Sequence, residues 1–205
     1  MLFSDPTLPS VASLVAGAPI RGSWWGDPAG HRIYHVGELL EDHPDVLTLP
    51  LLMAKTTLVH RRAWPEVLAV SRSRAPWQLV GLSPIGRALL RSVEAAGEVR
   101  LDGVMVPPMA ARRVIGDVAR DLERRLLVHG SSVHSETGRH VKRLTSWRSW
   151  MASHAAKDGL PAPADARARL ESMVAGLFPD RSLRLALPWE SRAARREPGR
   201  GRPGA

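Results

Sequence analysis

Hydrophobic and polar positions separate most cleanly between residues 111 and 147. At 100° per residue, Ala111, Val114, Ile115, Val118, Leu122 and Leu126 fall on one side of a helix over 111–127. Arg113, Asp117, Arg120 and Arg124 fall on the opposite side, within about 60° of one another by the same rotation. Leu127 and Val128 then lead into a hairpin over 128–147. Its turn is Ser135-Glu136-Thr137-Gly138, followed by Arg139, His140, Lys142 and Arg143.

The rest of the chain alternates short helices with short hairpins. Pro9-Ser10 opens a helix over 8–15, and Gly17 closes it. Asp27-Pro28 starts a helix to about Asp42, with Ile33, Val36, Leu39 and Leu40 as its apolar stripe. Residues 46–52 and 56–62 alternate as two strands about a Met53-Ala54-Lys55 turn, and Pro50 puts the first at an edge or bulge. Pro65 sits at N1 of a helix over 64–70, and 71–76 form a basic connection carrying Arg72 and Arg74. Ser83-Pro84 cap a helix to Ala96 with Ile85, Leu89, Val93 and Ala96 facing inward and Gly97 as its stop. A strand over 98–101 and an irregular segment over 102–108 come next. A helix over 146–157 packs Trp147 and Trp150 on the body. After a linker over 159–163, Ala166, Leu170, Met173, Val174 and Leu177 form the stripe of a helix over 164–178. From Pro188 onward the chain is rich in Arg, Gly and Pro, and a disordered tail is expected.

This order predicts a mainly α protein with short β-hairpins, an α+β fold. Helix, strand, short segment, amphipathic helix and basic hairpin form the order of a winged helix-turn-helix, the amphipathic helix entering the major groove and the hairpin touching the backbone. The first third is expected to be a degenerate copy, giving a tandem: residues 1–75, then 76–158, a helical region over 159–187 and a basic tail over 188–205. A surface helix with a solvated charged face fits the same stripe, and Asp117, Asp121 and Glu123 dilute its charge.

Charge sharpens this picture. The 205 residues carry a formal net charge of +9, of which the tail supplies +3, leaving +6 on the body. Such a balance favours polyanions, nucleic acid first and an anionic membrane surface second. There is no cysteine, which excludes disulfides, thiolate metal sites and a cysteine nucleophile. No signal peptide and no apolar run of about 20 residues is found, so a soluble cytoplasmic protein is expected, with no membrane partner.

Four runs carry a family resemblance: Gly22-Ser23-Trp24-Trp25-Gly26, Val59-His60-Arg61-Arg62-Ala63-Trp64-Pro65, Ala75-Pro76-Trp77-Gln78-Leu79, and Leu126-Leu127-Val128-His129-Gly130 with His134 through His140. Over roughly residues 9–152 the chain resembles bacterial relatives of AlkZ, the winged-helix DNA glycosylases that remove alkylated bases and unhook interstrand crosslinks. The resemblance implies tandem winged helices around a DNA channel. Those glycosylases position the attacking water with a Gln-x-Gln or Gln-x-Asp motif. This chain has only Gln78 and is much shorter, so no catalytic residue transfers to it.

The expected partner is therefore double-stranded DNA. Arg113, Arg120 and Arg124 face the groove or its rim, and Arg139, Lys142 and Arg143 take phosphates. A diverged glycosylase would need an acid near a flipped base, and Glu136, Asp27 and Glu38 are the candidates, with Trp24, Trp25 and Gln78 as pocket parts. The tryptophan pair is expected to plug a core from its loop rather than to offer a stacking surface. A protein-interaction module on the same scaffold is the third reading. His31, His35 and Glu38 on one helix face, and His129, His134, Glu136 and His140 on the hairpin, have metal-like spacing, but surface and phosphate roles suit them better. No phosphate loop, dinucleotide fingerprint or Ser/His/Asp motif occurs, and no cofactor or metal is expected.

Overall fold

The structure is a computed structural model, describing residues 1–103, 112–134, 138–154, 159–177 and 186–190. It is α+β. Helix α1 (Val11–Ala16) opens with a reciprocal cap: the Ser13 amide donates to Ser10 Oγ at 3.2 Å, and the Ser10 amide donates to Ser13 Oγ at 2.9 Å. Helix α2 (Gly30–Glu41) begins after Asp27, whose carboxylate accepts the Ala29 amide at 2.8 Å. Of its expected stripe only Ile33 is buried, and Leu39 is 58% exposed. Strands β1 (Val46–Leu52) and β2 (Lys55–His60) pair antiparallel. Met53 and Ala54 join them with φ of 53° and 57°, the left-handed pair of a tight hairpin turn. The register shifts between Leu49 and Leu52, where Pro50 has no amide to offer.

Helix α3 (Trp64–Arg72) is followed by a short helix α4 (Pro76–Leu79), beyond the connection expected over 71–76. In α5 (Pro84–Ala96) the buried face is Gly86, Leu89, Leu90 and Val93, while Ile85 is 40% exposed; the expected face is rotated by about one position. Strand β3 (Glu98–Arg100), helix α6 (Arg112–Arg124) and strands β4 (His129–His134) and β5 (His140–Thr145) form the next unit. The sheet order is β3-β5-β4, antiparallel throughout. Helices α7 (Trp147–Ser153) and α8 (Pro163–Leu177) follow. The expectations for Ala111, for most of the 102–108 segment and for Ser135 through Thr137 lie outside the described residues.

The core does not respect the unit boundaries expected from sequence. Its largest cluster joins Leu47, Leu49, Val67, Leu68 and Val70 to Leu126, Trp147 and Trp150, and to Ala166, Leu170, Leu187 and Trp189. A second cluster sits under the three-stranded sheet: Leu89, Val93, Ala119, Leu122, Leu127, Val128 and Leu144. Leu187 and Trp189 are 1% and 3% exposed, so packed chain continues through Trp189, past the Pro188 where a disordered tail is expected to begin; residues 191–205 of that expected tail lie outside the described residues. Trp189 closes a short apolar run, Leu185 to Trp189, too brief to show a helical or strand period.

The two clusters meet at the end of α6. Leu126 has φ 53°, and this single left-handed residue sends Leu126 into one cluster and Leu127 into the other. The indole of Trp147 donates to the Leu126 carbonyl at 2.8 Å. Arg125, 5% exposed, donates to the carbonyls of Gln78 and Val80 at 2.9 and 2.8 Å and to Asp121 at 2.7 Å. Gln78, fully buried, answers by donating to the carbonyls of Arg125 and Ser71 at 3.1 Å each. Arg125→Met would strand two carbonyls in the interior and is expected to destabilise the protein by about 3 kcal/mol, read by urea denaturation. A change below about 1 kcal/mol would mean that α6 is held by packing alone.

Candidate nucleic-acid interface

Helix α6 buries Ile115, Ala119 and Leu122 and turns Arg113, Asp117, Arg120 and Arg124 outward, all four exposed. Ala119 faces the core although its small side chain gives it little weight in the stripe. Val114, expected inside, is 39% exposed. Arg120 forms an ion pair with Asp117 one turn back. Arg120 and Arg124 line a groove of about 360 Å³ together with Lys142 and Ser131 from the sheet and Thr48, Pro50 and Ala54 from the β1–β2 hairpin. Three of the six expected contact residues are thus brought to one groove. Arg113 and Arg139 are exposed outside it.

Lys142 has an inward role that its place in the sequence does not announce. Its Nζ spans both carboxylate oxygens of Glu123 at 2.9 and 2.7 Å, and Glu123 is only 7% exposed. The pair ties β5 to α6 and offsets the charge that Glu123 buries. Glu123 lies against Gly130, where an added Cβ would overlap its carboxylate. Gly130→Ala is therefore expected to push Glu123 off Lys142, with a loss of about 2 kcal/mol in thermal or chemical unfolding. An unchanged midpoint would show that the Glu123 carboxylate relocates freely. Arg143 is likewise engaged, donating to Ser131 Oγ at 3.2 Å and lying 3.8 Å from Glu98.

Beyond Gly130, Ser131, Ser132, Thr48 and Glu41, which line both spaces, the groove continues into a cleft of about 680 Å³. One wall is the end of α2 with Tyr34, Glu38, Glu41 and Asp42; the other carries His129, His140 and Arg143, with Trp150 and His154 between. Desolvation pushes the Glu41 carboxyl up, its neighbours Asp42 and Glu38 push it further, and His140 and Lys142 act against them. The Tyr34 hydroxyl donates to Glu38 at 2.7 Å. His154 stacks on Trp150 with centroids 4.0 Å apart and planes 13° apart. At the cleft floor, His129 sits 5.9 Å from both Trp147 and Trp150.

Burial, and then the proximity of His154, hold the His129 imidazole down at about 4, despite its hydrogen bond to the Thr48 backbone. The folded protein therefore keeps His129 neutral at pH values where the unfolded chain, with an ordinary pKa near 6.5, binds the proton. This contribution is complete above about pH 6.5 and is lost as pH falls from there to about 4, amounting to up to about 3 kcal/mol. His129→Gln is expected to flatten the stability profile in that window, measured by denaturation at a series of pH values. A parent-like slope in the variant would assign the titration elsewhere.

The other candidates fall apart in space. Gln78 belongs to the buried junction with Arg125 and lines neither groove nor cleft. Asp27 caps α2. Glu136 and the side chain of His134 lie outside the described residues, and His31 and His35 are exposed on α2. The tryptophan pair divides its labour. Trp24 packs edge-on against Phe3, while Trp25 stacks on Trp24 at 4.3 Å and is 60% exposed, so only the first tryptophan acts as a plug. Among the described residues no group of three or more His, Asp or Glu has the geometry for a metal ion, and no helix is long and apolar enough to cross a membrane. His129, His154, Glu41 and Thr48 are not recognisable as a group in the sequence because they lie on four separate stretches of chain.

Compared with family models, with curated proteins and with solved structures, the chain matches none.

Proposed function

We propose that the protein binds double-stranded DNA through the outward face of α6 and the adjoining β4–β5 hairpin. The observation that carries this reading is the exposure of Arg113, Arg120 and Arg124 on a helix that precedes the outer hairpin of a β3-β5-β4 sheet. We read that arrangement of strands and helix as a winged-helix order, in which the helix preceding the hairpin enters the major groove. The first third contributes a helix and a two-stranded hairpin, the degenerate partner of the tandem in this reading. Arg120 and Arg124 take phosphates at the groove, Arg113 and Arg139 extend the contact, and Lys142 and Arg143 share their charge between the backbone and their internal carboxylates. In this reading the protein is a relative of the AlkZ glycosylases without their glutamine chemistry, its single glutamine, Gln78, being engaged in the buried junction.

The cleft favours a second reading, a diverged base-excision enzyme. Glu41, its carboxyl pushed up, and Glu38 stand beside a groove that holds two arginines. In that reading one of them supplies the acid, and Glu41→Gln abolishes release of free base from alkylated duplex while leaving binding intact. No base release by the parent protein would dispose of it.

The binding reading is tested by fluorescence anisotropy on a duplex across a salt series. Arg120→Ala with Arg124→Ala should lower affinity on the order of tenfold near 0.1 M salt and reduce the salt slope by about 2, one unit for each phosphate contact. Equal affinity and slope for variant and parent would refute the assignment. Weak binding by the parent at physiological salt would instead favour an acidic protein partner for the same face.

A further inference from the structure

A cavity of about 270 Å³ opens between the end of α3, the last turn of α5 and the start of α7, and it shares no lining residue with the groove or the cleft. Arg72, Arg74 and Arg148 line it with Glu94, and Leu127 and Trp147, both buried, give it an apolar side. Three arginines against one glutamate leave a formal surplus of +2. Glu94 pairs with Arg74. Among the described residues neither Arg72 nor Arg148 has a carboxylate partner; Arg72 donates to Met151 Sδ at 3.5 Å, a weak acceptor. Burial pulls the Arg74 guanidinium below its ordinary range, a cost that an anion in the cavity offsets.

The polar wall of this cavity is fixed from within. Ser71 is 1% exposed, and its Oγ has no hydrogen-bond partner among the described residues. Buried hydroxyls are normally satisfied, so one left over at a cavity wall is available to a ligand oxygen. The hydroxyl of Ser146, also at the wall, is already committed: it accepts the Ser149 amide at 3.2 Å and donates to Ser149 Oγ at 3.0 Å. Gln78 holds the segment that carries two of the arginines. It donates to the Ser71 carbonyl at 3.1 Å and accepts from Ser73 Oγ at 3.0 Å and from the Ala75 amide at 2.9 Å. Between those bonds Arg74 has φ 54°, a left-handed conformation that costs a non-glycine residue energy and persists only where its surroundings enforce it. On the apolar side, the Trp147 indole is tied to the Leu126 carbonyl. Both walls are therefore in place before any ligand arrives, which lowers the cost of binding one.

We propose that this cavity binds a small phosphomonoester, its phosphate held by Arg72, Arg74, Arg148 and the Ser71 hydroxyl and its organic part lying against Leu127 and Trp147. A phosphomonoester carries a charge of about −1.5 to −2 at neutral pH, which matches the surplus on the wall. Guanidinium forks suit its oxygens in bidentate pairs, and the Ser71 hydroxyl gains the partner it lacks. Small-molecule sites begin near about 300 Å³ and combine an apolar wall with a few convergent polar groups, so the cavity suits a compact ester better than a duplex backbone. The site is separate from the face proposed to meet DNA and does not depend on that reading.

The test is isothermal titration calorimetry of the full chain with phenyl phosphate and with inorganic phosphate, at one pH and ionic strength. Phenyl phosphate should bind at least about tenfold more tightly than inorganic phosphate, because its ring covers apolar surface. Arg72→Gln combined with Arg148→Gln should weaken phenyl phosphate by at least about tenfold. Ser71→Ala should weaken it by about fivefold while leaving the urea midpoint of the free protein unchanged, since the hydroxyl it removes has no partner to lose. No binding of phenyl phosphate up to about 10 mM would overturn the proposal. Equal affinity for the two probes would refute the seat of the organic part, and parent-like affinity in both variants would place the phosphate elsewhere. The same arginine variant is also titrated with duplex DNA. If it loses duplex affinity as the Arg120/Arg124 variant does, and phenyl phosphate does not compete, these arginines serve the duplex and the small-ligand site is refuted. Unchanged duplex affinity alongside weakened phenyl phosphate is the result expected.

Discussion

The exchange between Arg125 and Gln78 is the constraint on which the placement of α6 depends. Each side chain satisfies the other's backbone: the guanidinium caps the carbonyls at the end of α4, and the carboxamide returns to the Arg125 carbonyl. In a low-dielectric interior such reciprocal bonds are strong when complete and costly when broken. They fix the last turn of α6 against the segment that leads into α5. The left-handed Leu126 then reverses the chain, and Trp147 holds its carbonyl. Everything offered to a partner by α6 and the hairpin is aimed by this joint.

The same joint brings two of the apolar clusters together, with Leu126 in one and Leu127 in the other. The cleft runs along the seam between the α2–β1 wall and the sheet, with Glu38, Glu41 and Asp42 on one side and His129, His140 and Arg143, together with Glu98, on the other. Across that seam Glu41 feels both His140 and Lys142. The basic groove is one end of the seam, and part of its cationic character is turned inward, from Lys142 to the buried Glu123. The surface is less basic than the count of arginines implies, and on α6 its outward charge sits on Arg113, Arg120 and Arg124.

Local signals are legible in the sequence. Ser10 with Gly17, Ser83-Pro84 with Gly97, and the alternation on both sides of Met53-Ala54 each encode an element through capping or periodicity, and each is present. The outward stripe of α6 is legible for the same reason. Pairings across distance are not. Nothing near Lys142 announces Glu123, and nothing near Gln78 announces Arg125, 47 residues away. Trp189 stands in an Arg-rich stretch, and only the presence of Trp77, Arg167 and Glu171 turns it into a core residue. The histidine cleft is a product of tertiary assembly, since its members lie on separate elements.

The outward face of α6 and the β4–β5 hairpin are the surfaces proposed to meet DNA. The most direct measurement is a two-dimensional ¹⁵N NMR titration of the full chain with a short duplex, including the arginine side-chain Nε resonances. The largest shifts are predicted to fall on Arg113, Arg120 and Arg124 and on the β4–β5 amides, with the buried Arg125 resonance unmoved. Shifts concentrated on α8 or on the Trp25 surface, with α6 silent, would contradict that assignment.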